Sequence, residues 1–146
     1  MPEMIVVEVA GEHLGIPVGV VRHVLGPQTV YPVPLAHPAI AGVLNMRGRI
    51  ITAVDCAHRL GLARDEPAAA SSSVVVDWNG EPYALLVDRV DDILELTEPA
   101  VDPRELASFV PSWHALARNL YSTRSGVLVE LDIDRMLALT PGREAA

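Results

Sequence analysis

"VVEVAGEHLGIPVGVVRHVL" (residues 6–25) returns later in the chain as "VVDWNGEPYALLVDRVDDIL" (75–94). At an offset of 69, Val6, Val7, Val18, Val21 and Leu25 meet Val75, Val76, Val87, Val90 and Leu94, and Gly11-Glu12 meets Gly80-Glu81. Each copy reads as a β-rich strand, a Gly-Glu or Asn-Gly turn and a second strand. A weaker match follows at an offset of 77, where "NMRGRIITAVDCAHRL" (45–60) lies over "STRSGVLVELDIDRML" (122–137). There Arg47 meets Arg124 and Asp55 meets Asp132. Both run turn, apolar strand, Asp, short helix. The Asp carboxylate suits an N-cap, and Gly61 suits the C-terminal end of the first helix.

The plan is a duplicated unit of hairpin, long loop, hairpin and small helix. Short strands, frequent turns and 12 prolines favour two small β-barrels. The polar, small-residue stretch "ARDEPAAASSS" (63–73) reads as the linker between copies. "DPRELASFVPSWHALARNL" (102–120) breaks the strand pattern. Leu106, Phe109 and Val110 have helical spacing, Asp102 and Pro103 suit a helix start, and Pro111 ends or kinks it. A short helix or a packed loop is expected there.

The length of 146 residues fits one domain, or two lobes sharing a core. Half the residues are apolar and only 4% are aromatic, so the core must be built from Val, Leu, Ile and Ala. The formal charge is -8 with 11 basic residues, all arginine, which opposes nucleic acid and anionic membrane surfaces as partners. One cysteine, Cys56, excludes an intrachain disulfide framework and suits a reducing cytoplasm. The N-terminus has no basic region before its apolar run, so it does not read as a signal peptide. Residues 24–46 carry no Asp, Glu, Lys or Arg, but Pro27, Pro32, Pro34 and Pro38 oppose a membrane-spanning helix.

Catalytic constellations are scarce. There is no Gly-rich phosphate loop and no His-Glu-x-x-His pattern. Cys56 and His58 would not share a helix face, so a thiolate–imidazole pair is not expected. Histidines 13, 23, 37, 58 and 114 show no ligand spacing. Asp88, Asp91, Asp92 and Glu95 read as solvated strand and loop positions rather than as paired carboxylates or a calcium loop. Trp78, beside Asn79-Gly80, reads equally as a partner anchor or a half-exposed structural aromatic, and Trp113 as an anchor. No catalytic, cofactor or metal residue is assigned. What remains is the turn "NMRG" (45–48). Asn and Gly tolerate left-handed backbone, Met46 offers an adaptable apolar surface, and Arg47 can grip a carboxylate. The alternative is a plain hairpin tip with an intramolecular salt bridge.

These residues resemble the CheW-like domain of bacterial chemotaxis coupling proteins. That family has a strand ending in Val-x-Glu-Ile, a Pro-Val-Pro, a Gly-Val-x-Asn-Leu-Arg-Gly turn, then a strand, Asp and a short helix closing in Leu-Gly-Leu. The counterparts here are Val21 to Val24, Pro32 to Pro34, Gly42 to Gly48, and Asp55 to Leu62. "ALLVDRVDDIL" (84–94) and "GVLVELDIDRML" (126–137) match later blocks. The resemblance covers residues 4–139 as a single domain, with 140–146 as a tail. It implies an all-β fold of two five-stranded SH3-like barrels related by a pseudo-two-fold, with short helices. The first barrel is expected at about 13–68 and the second at about 74–139, the N-terminal strand being open to sharing between them.

The implied function is non-enzymatic. The protein would be a cytoplasmic adaptor recruited to membrane-associated arrays, bridging chemoreceptor cytoplasmic tips to the regulatory domain of a CheA-type histidine kinase. Self-association in array rings also belongs to that picture, without cofactor, nucleic acid or membrane insertion. The alternatives are a CheW-like adaptor of a pilus- or gliding-motility pathway and, more remotely, a small-ligand-binding barrel or a hydrolase. Carried over by position, the partner-binding residues are Val21, His23, Val24, Asn45, Met46, Arg47 and Gly48. Met46 takes the family's Leu place. His23 stands where the family commonly has a Glu that pairs with the turn arginine, which leaves Arg47 for a partner's carboxylate. Because His23 aligns with Asp92 and Arg47 with Arg124, an Asp92–Arg124 ion pair is expected in the second copy. "ARNLYSTRSG" (117–126) departs from the family, which usually has a Gly near Asn119.

Overall fold

A computed structural model describes residues 3–62, 72–96, 116–124 and 126–139. Among the described residues are ten strands and two one-turn α-helices: β1 (Glu3–Val9), β2 (Glu12–Pro17), β3 (Val21–Leu25), β4 (Ile40–Met46), β5 (Arg49–Asp55), α1 (Cys56–Leu60), β6 (Ser72–Trp78), β7 (Glu81–Val87), β8 (Arg89–Glu95), β9 (Ala117–Thr123), β10 (Gly126–Leu131) and α2 (Ile133–Leu137). The sequence repeat maps element by element. The first three strands of each copy, β1 to β3 and β6 to β8, match at the offset of 69. The hairpin and helix, β4–β5–α1 and β9–β10–α2, match at 77.

The strands form two five-stranded sheets, ordered β8-β1-β2-β10-β9 and β3-β6-β7-β5-β4. Under the repeat these orders are identical, but each sheet takes its central hairpin from the other copy. The β1–β2 hairpin sits among β8, β9 and β10, and β6–β7 sits among β3, β4 and β5. The exchange is made at two parallel junctions, β2 with β10 (Leu14 opposite Val129) and β5 with β7 (Val54 opposite Leu85). The expected barrels at 13–68 and 74–139 are therefore corrected. One sheet is contiguous from β3 to β7, and the other is assembled from both ends of the chain.

The reason is burial. "IVV" (5–7), "VVV" (74–76) and "ALLV" (84–87) are continuous apolar runs, as expected for strands covered on both faces. Val75, Ala84 and Leu86 face one barrel interior with Leu44, Ile51 and Ala53. Met4 and Val6 face the other with Leu96, Tyr121 and Leu128. The alternate residues, including Ile5, Val7, Val9, Val74, Val76, Leu85 and Val87, meet in a larger core between the barrels. A hairpin buried on both faces must be central to its sheet, and crossing the pseudo-axis puts both hairpins there.

The turns follow their residues. Ala10-Gly11, Arg47-Gly48 and Asn79-Gly80 are two-residue loops with positive φ at both places (49° and 85°, 53° and 84°, 51° and 80°), the type I′ geometry whose twist matches flanking strands. Both helices start as expected. Asp55 accepts the His58 N–H at 3.2 Å and Asp132 accepts the Arg135 N–H at 3.1 Å. Gly61 closes α1 with φ of 70°. The two sheets are also tied together through α2. Trp78 Nε1 donates to Asp134 at 3.0 Å, and the Arg59 guanidinium donates to the Arg135 and Met136 carbonyls at 2.8 and 3.0 Å.

The linker at 63–71 and most of the 102–120 segment, with Trp113, lie outside the described residues. Residues 117–120, the end of the segment expected as a short helix or a packed loop, belong to strand β9. The acidic stretch is strand β8, as expected. No helix among the described residues is long and apolar enough to cross a membrane.

A candidate partner-binding surface

The turn at Arg47-Gly48 joins β4 to β5. Asn45 Oδ1 accepts the Gly48 N–H at 2.9 Å and so locks the reversal. Arg47 is exposed and enters no ion pair with the described residues. A Pro-rich strap runs from the end of β3 to β4 and is pinned by reciprocal backbone bonds. The Tyr31 N–H donates to the Val43 carbonyl at 2.8 Å, and the Val43 N–H donates to the Tyr31 carbonyl at 2.9 Å. Gly42 makes this approach feasible, because a Cβ there would run into the Tyr31 carbonyl.

Strand register places Tyr31 beside Val43, Val43 opposite Thr52, and Asn45 opposite Ile50, all on one sheet face. That face begins at Val54 in the inter-barrel core and emerges as it approaches the turn, where Ile50 is 65% exposed. The strap adds exposed Tyr31 and Val33, and Leu35 is 100% exposed in left-handed backbone (φ 63°). The result is an apolar surface with a cation at its rim. Exposed large apolar side chains gathered on one strap and hairpin are the kind of surface that partners cover.

The seven residues singled out from sequence fall into two groups. Asn45, Arg47 and Gly48 are exposed at the turn, while Met46 packs partly against the barrel interior. Val21, His23 and Val24 lie on β3, at the opposite edge of the same sheet. Val21 leans on the inter-barrel core, His23 is half-buried and Val24 is exposed. Among the described residues no hydrogen bond or ion pair joins the two groups. The expected Asp92–Arg124 ion pair does not form. Both side chains are exposed, and the acid nearest in sequence, Asp91, is held instead by Arg89 at 2.8 Å. Asp92 sits on β8 and Arg124 follows β9, at opposite edges of their sheet, so repeat alignment did not imply proximity. Sequence reading missed Tyr31, Val33, Leu35 and Ile50. For Tyr31, Val33 and Leu35 the available signal was the uncharged, proline-broken stretch between β3 and β4, where no strand or helix forms to bury them.

Cys56 is buried while His58 is exposed on the same helix, so the two do not converge. Trp78 is half-buried, edge-on to Tyr83 at 5.8 Å and bonded to Asp134, which is a structural role. Barrel interiors differ in polarity. Glu130, 5% exposed, accepts from Asn119 Nδ2 at 3.1 Å and from the Tyr121 hydroxyl at 3.3 Å. At the matching places the other barrel has Ala53, Gly42 and Leu44. Burial and the neighbouring Glu130 carboxylate raise the Tyr121 pKa above its usual 10.0, against a lowering by Arg118.

A family model described as CheW-like domain matches residues 3–140. The chain belongs to the CheW-like family. Among CheW relatives, the chemotaxis protein CheW of Thermotoga maritima is 30% identical over 135 residues, covering 92% of this chain and 87% of that one. Chemotaxis protein CheW of Rhizobium meliloti is 30% identical over 131 residues, covering 89% and 84%. The crystal structure of the scaffolding protein TtCheW from Thermoanaerobacter tengcongensis superposes with a TM-score of 0.83, covering 97% of this chain and 96% of that one at 21% identity, which shows the shared double-barrel fold. CheW homology supports an adaptor role in chemotaxis, the work of a scaffold family rather than of a catalyst.

Proposed function

We propose that the protein is a non-enzymatic scaffold that couples chemoreceptor cytoplasmic tips to the regulatory domain of a CheA-type histidine kinase. The observation that carries the reading is CheW-like membership over residues 3–140 together with an apolar face that leaves the core and ends at an exposed arginine. In this reading the strap and the β4–β5 hairpin supply contact area, and Arg47 orients the partner through a carboxylate. A rim charge governs on-rate and specificity more than affinity.

Backbone strain supports the assignment. Arg47 and Leu35 hold positive φ without being glycine, and such places persist where something other than stability selects the side chain. Val24 and His23 on the far edge of the sheet would serve a second contact. The test is a pull-down from the source cell with wild type and Arg47→Glu. Wild type should bring a histidine kinase and a chemoreceptor, and Arg47→Glu should lose one or both while melting like wild type. Capture of a kinase of a pilus or gliding system would keep the adaptor and change the pathway. Recovery of neither class, or unfolding of the variant, would contradict the proposal.

A further inference from the structure

A second set of side chains converges on the other sheet. The β1–β2 ladder sets Glu8 directly opposite His13, and the β1–β8 ladder sets Glu8 opposite Arg89. Asp91 follows two places along β8, so four polar side chains from three adjacent strands share one region. Nitrogen and carboxylate oxygens of Glu8, His13 and Asp91 all lie within 4.8 Å of one another. Nothing in the sequence spacing announces them, because the three residues meet only through the exchanged sheet.

The two carboxylates are gripped from one side. Arg89 Nε meets Asp91 Oδ1 at 2.8 Å, and Arg89 Nη2 meets Glu8 Oε2 at 3.2 Å. The other Asp91 oxygen, Oδ2, faces His13 Nε2 at 3.7 Å. That is too long for a hydrogen bond. It is close to the separation of two ligands sharing one ion, whose bonds to nitrogen and oxygen run about 2.0–2.2 Å. With neutral imidazole the cluster sums to one negative charge, so a dication is electrostatically welcome.

The duplication supplies an internal comparison. The places matching Glu8, His13 and Asp91 are Asp77, Pro82 and Arg22. There a single Arg22–Asp77 ion pair at 2.7 Å joins the strands, and no imidazole is present. The donor set belongs to one barrel only.

We propose that Glu8, His13 and Asp91 bind one divalent transition-metal ion of the zinc class. Arg89 is the positioning residue that holds the outer carboxylate oxygens, as outer partners do around metal ligands. One imidazole with two carboxylates suits zinc, cobalt or nickel better than calcium or magnesium, which favour oxygen alone. Three protein ligands leave a coordination place for water or for a donor from a partner. The bound ion would fasten the edge strand β8 to the β1–β2 hairpin.

The probe is zinc chloride, titrated calorimetrically into the full untagged chain, with cobalt and nickel chlorides in parallel. One saturable site in the micromolar range is expected. His13→Ala should weaken it by about tenfold or more, while His58→Ala, at an exposed helix position, should leave it unchanged. Zinc should raise the melting temperature of wild type and His58→Ala but not of His13→Ala, as expected when an ion binds only the native state. His13 is exposed, and an unchanged metal-free melting curve for His13→Ala confirms that the variant folds. Absence of saturable binding by wild type, equal affinity in His13→Ala, or a loss that follows His58 would overturn the assignment.

Discussion

Arg47 occupies the first place of a two-residue I′ turn, where Asn or Gly is preferred and a branched or long side chain strains the backbone. Its φ of 53° costs about 1 kcal/mol relative to a residue that enters left-handed backbone freely. Arg47→Asn should therefore raise stability by about 0.5–1 kcal/mol in urea unfolding, since the change removes strain and no native ion pair to a described residue. Gly42 is the opposite case. A Cβ there meets the Tyr31 carbonyl, and φ is 149°. Gly42→Ala should cost about 3 kcal/mol from strain and overpacking. The same unfolding curves would show it, together with loss of protection at the Tyr31 and Val43 amides in hydrogen exchange. The Asn-x-Arg-Gly turn could be read from sequence because turn chemistry is local. The Tyr31 contact could not, because it depends on where a loop returns across space.

At the scale of the element, the caps and the repeat were legible, and the ion pairing was not. Asp55 and Asp132 each hold one orphan amide at the start of a one-turn helix. Asp132→Ala should cost about 1 kcal/mol of stability by thermal unfolding. The Asp92–Arg124 expectation failed because residues aligned by a repeat need not be neighbours, and strand order, which sequence does not state, puts them on opposite edges. The β9–β10 pair carries a different consequence. Tyr121 has its pKa raised by burial and by Glu130, so its protonated form is favoured in the native state. That contribution is fully present below pH 10.0, the usual tyrosine value, and is lost as pH rises through the higher native value. Stability should begin to fall as pH rises past 10.0 in wild type. The fall should be shallower in Tyr121→Phe, as followed by unfolding midpoints across an alkaline series.

For the whole molecule, the two-barrel class and the duplication were readable from the period and order of the strands, whereas the exchange of hairpins was not. The run "VVV" says that a strand is buried on both faces but not which sheet supplies the neighbours. Exchange makes one cooperative body from two copies, because the largest core lies between the barrels and is built from both. Urea unfolding followed by tryptophan fluorescence and by far-ultraviolet circular dichroism should give one coincident transition. The separated pieces 1–71 and 72–146 should be unfolded alone and regain the native spectrum on mixing. Independent folding of either piece would contradict the exchanged topology.

The adaptor reading turns on whether the strained arginine serves a partner. The most direct measurement is the calorimetric affinity of the purified chain for the regulatory domain of the histidine kinase recovered from its own cell, wild type against Arg47→Asn. The account predicts that the variant melts at or above the wild-type temperature and binds about tenfold more weakly, the loss of roughly one charge-assisted contact. Equal affinity of the two proteins would contradict it and would leave Arg47 as the tip of a hairpin.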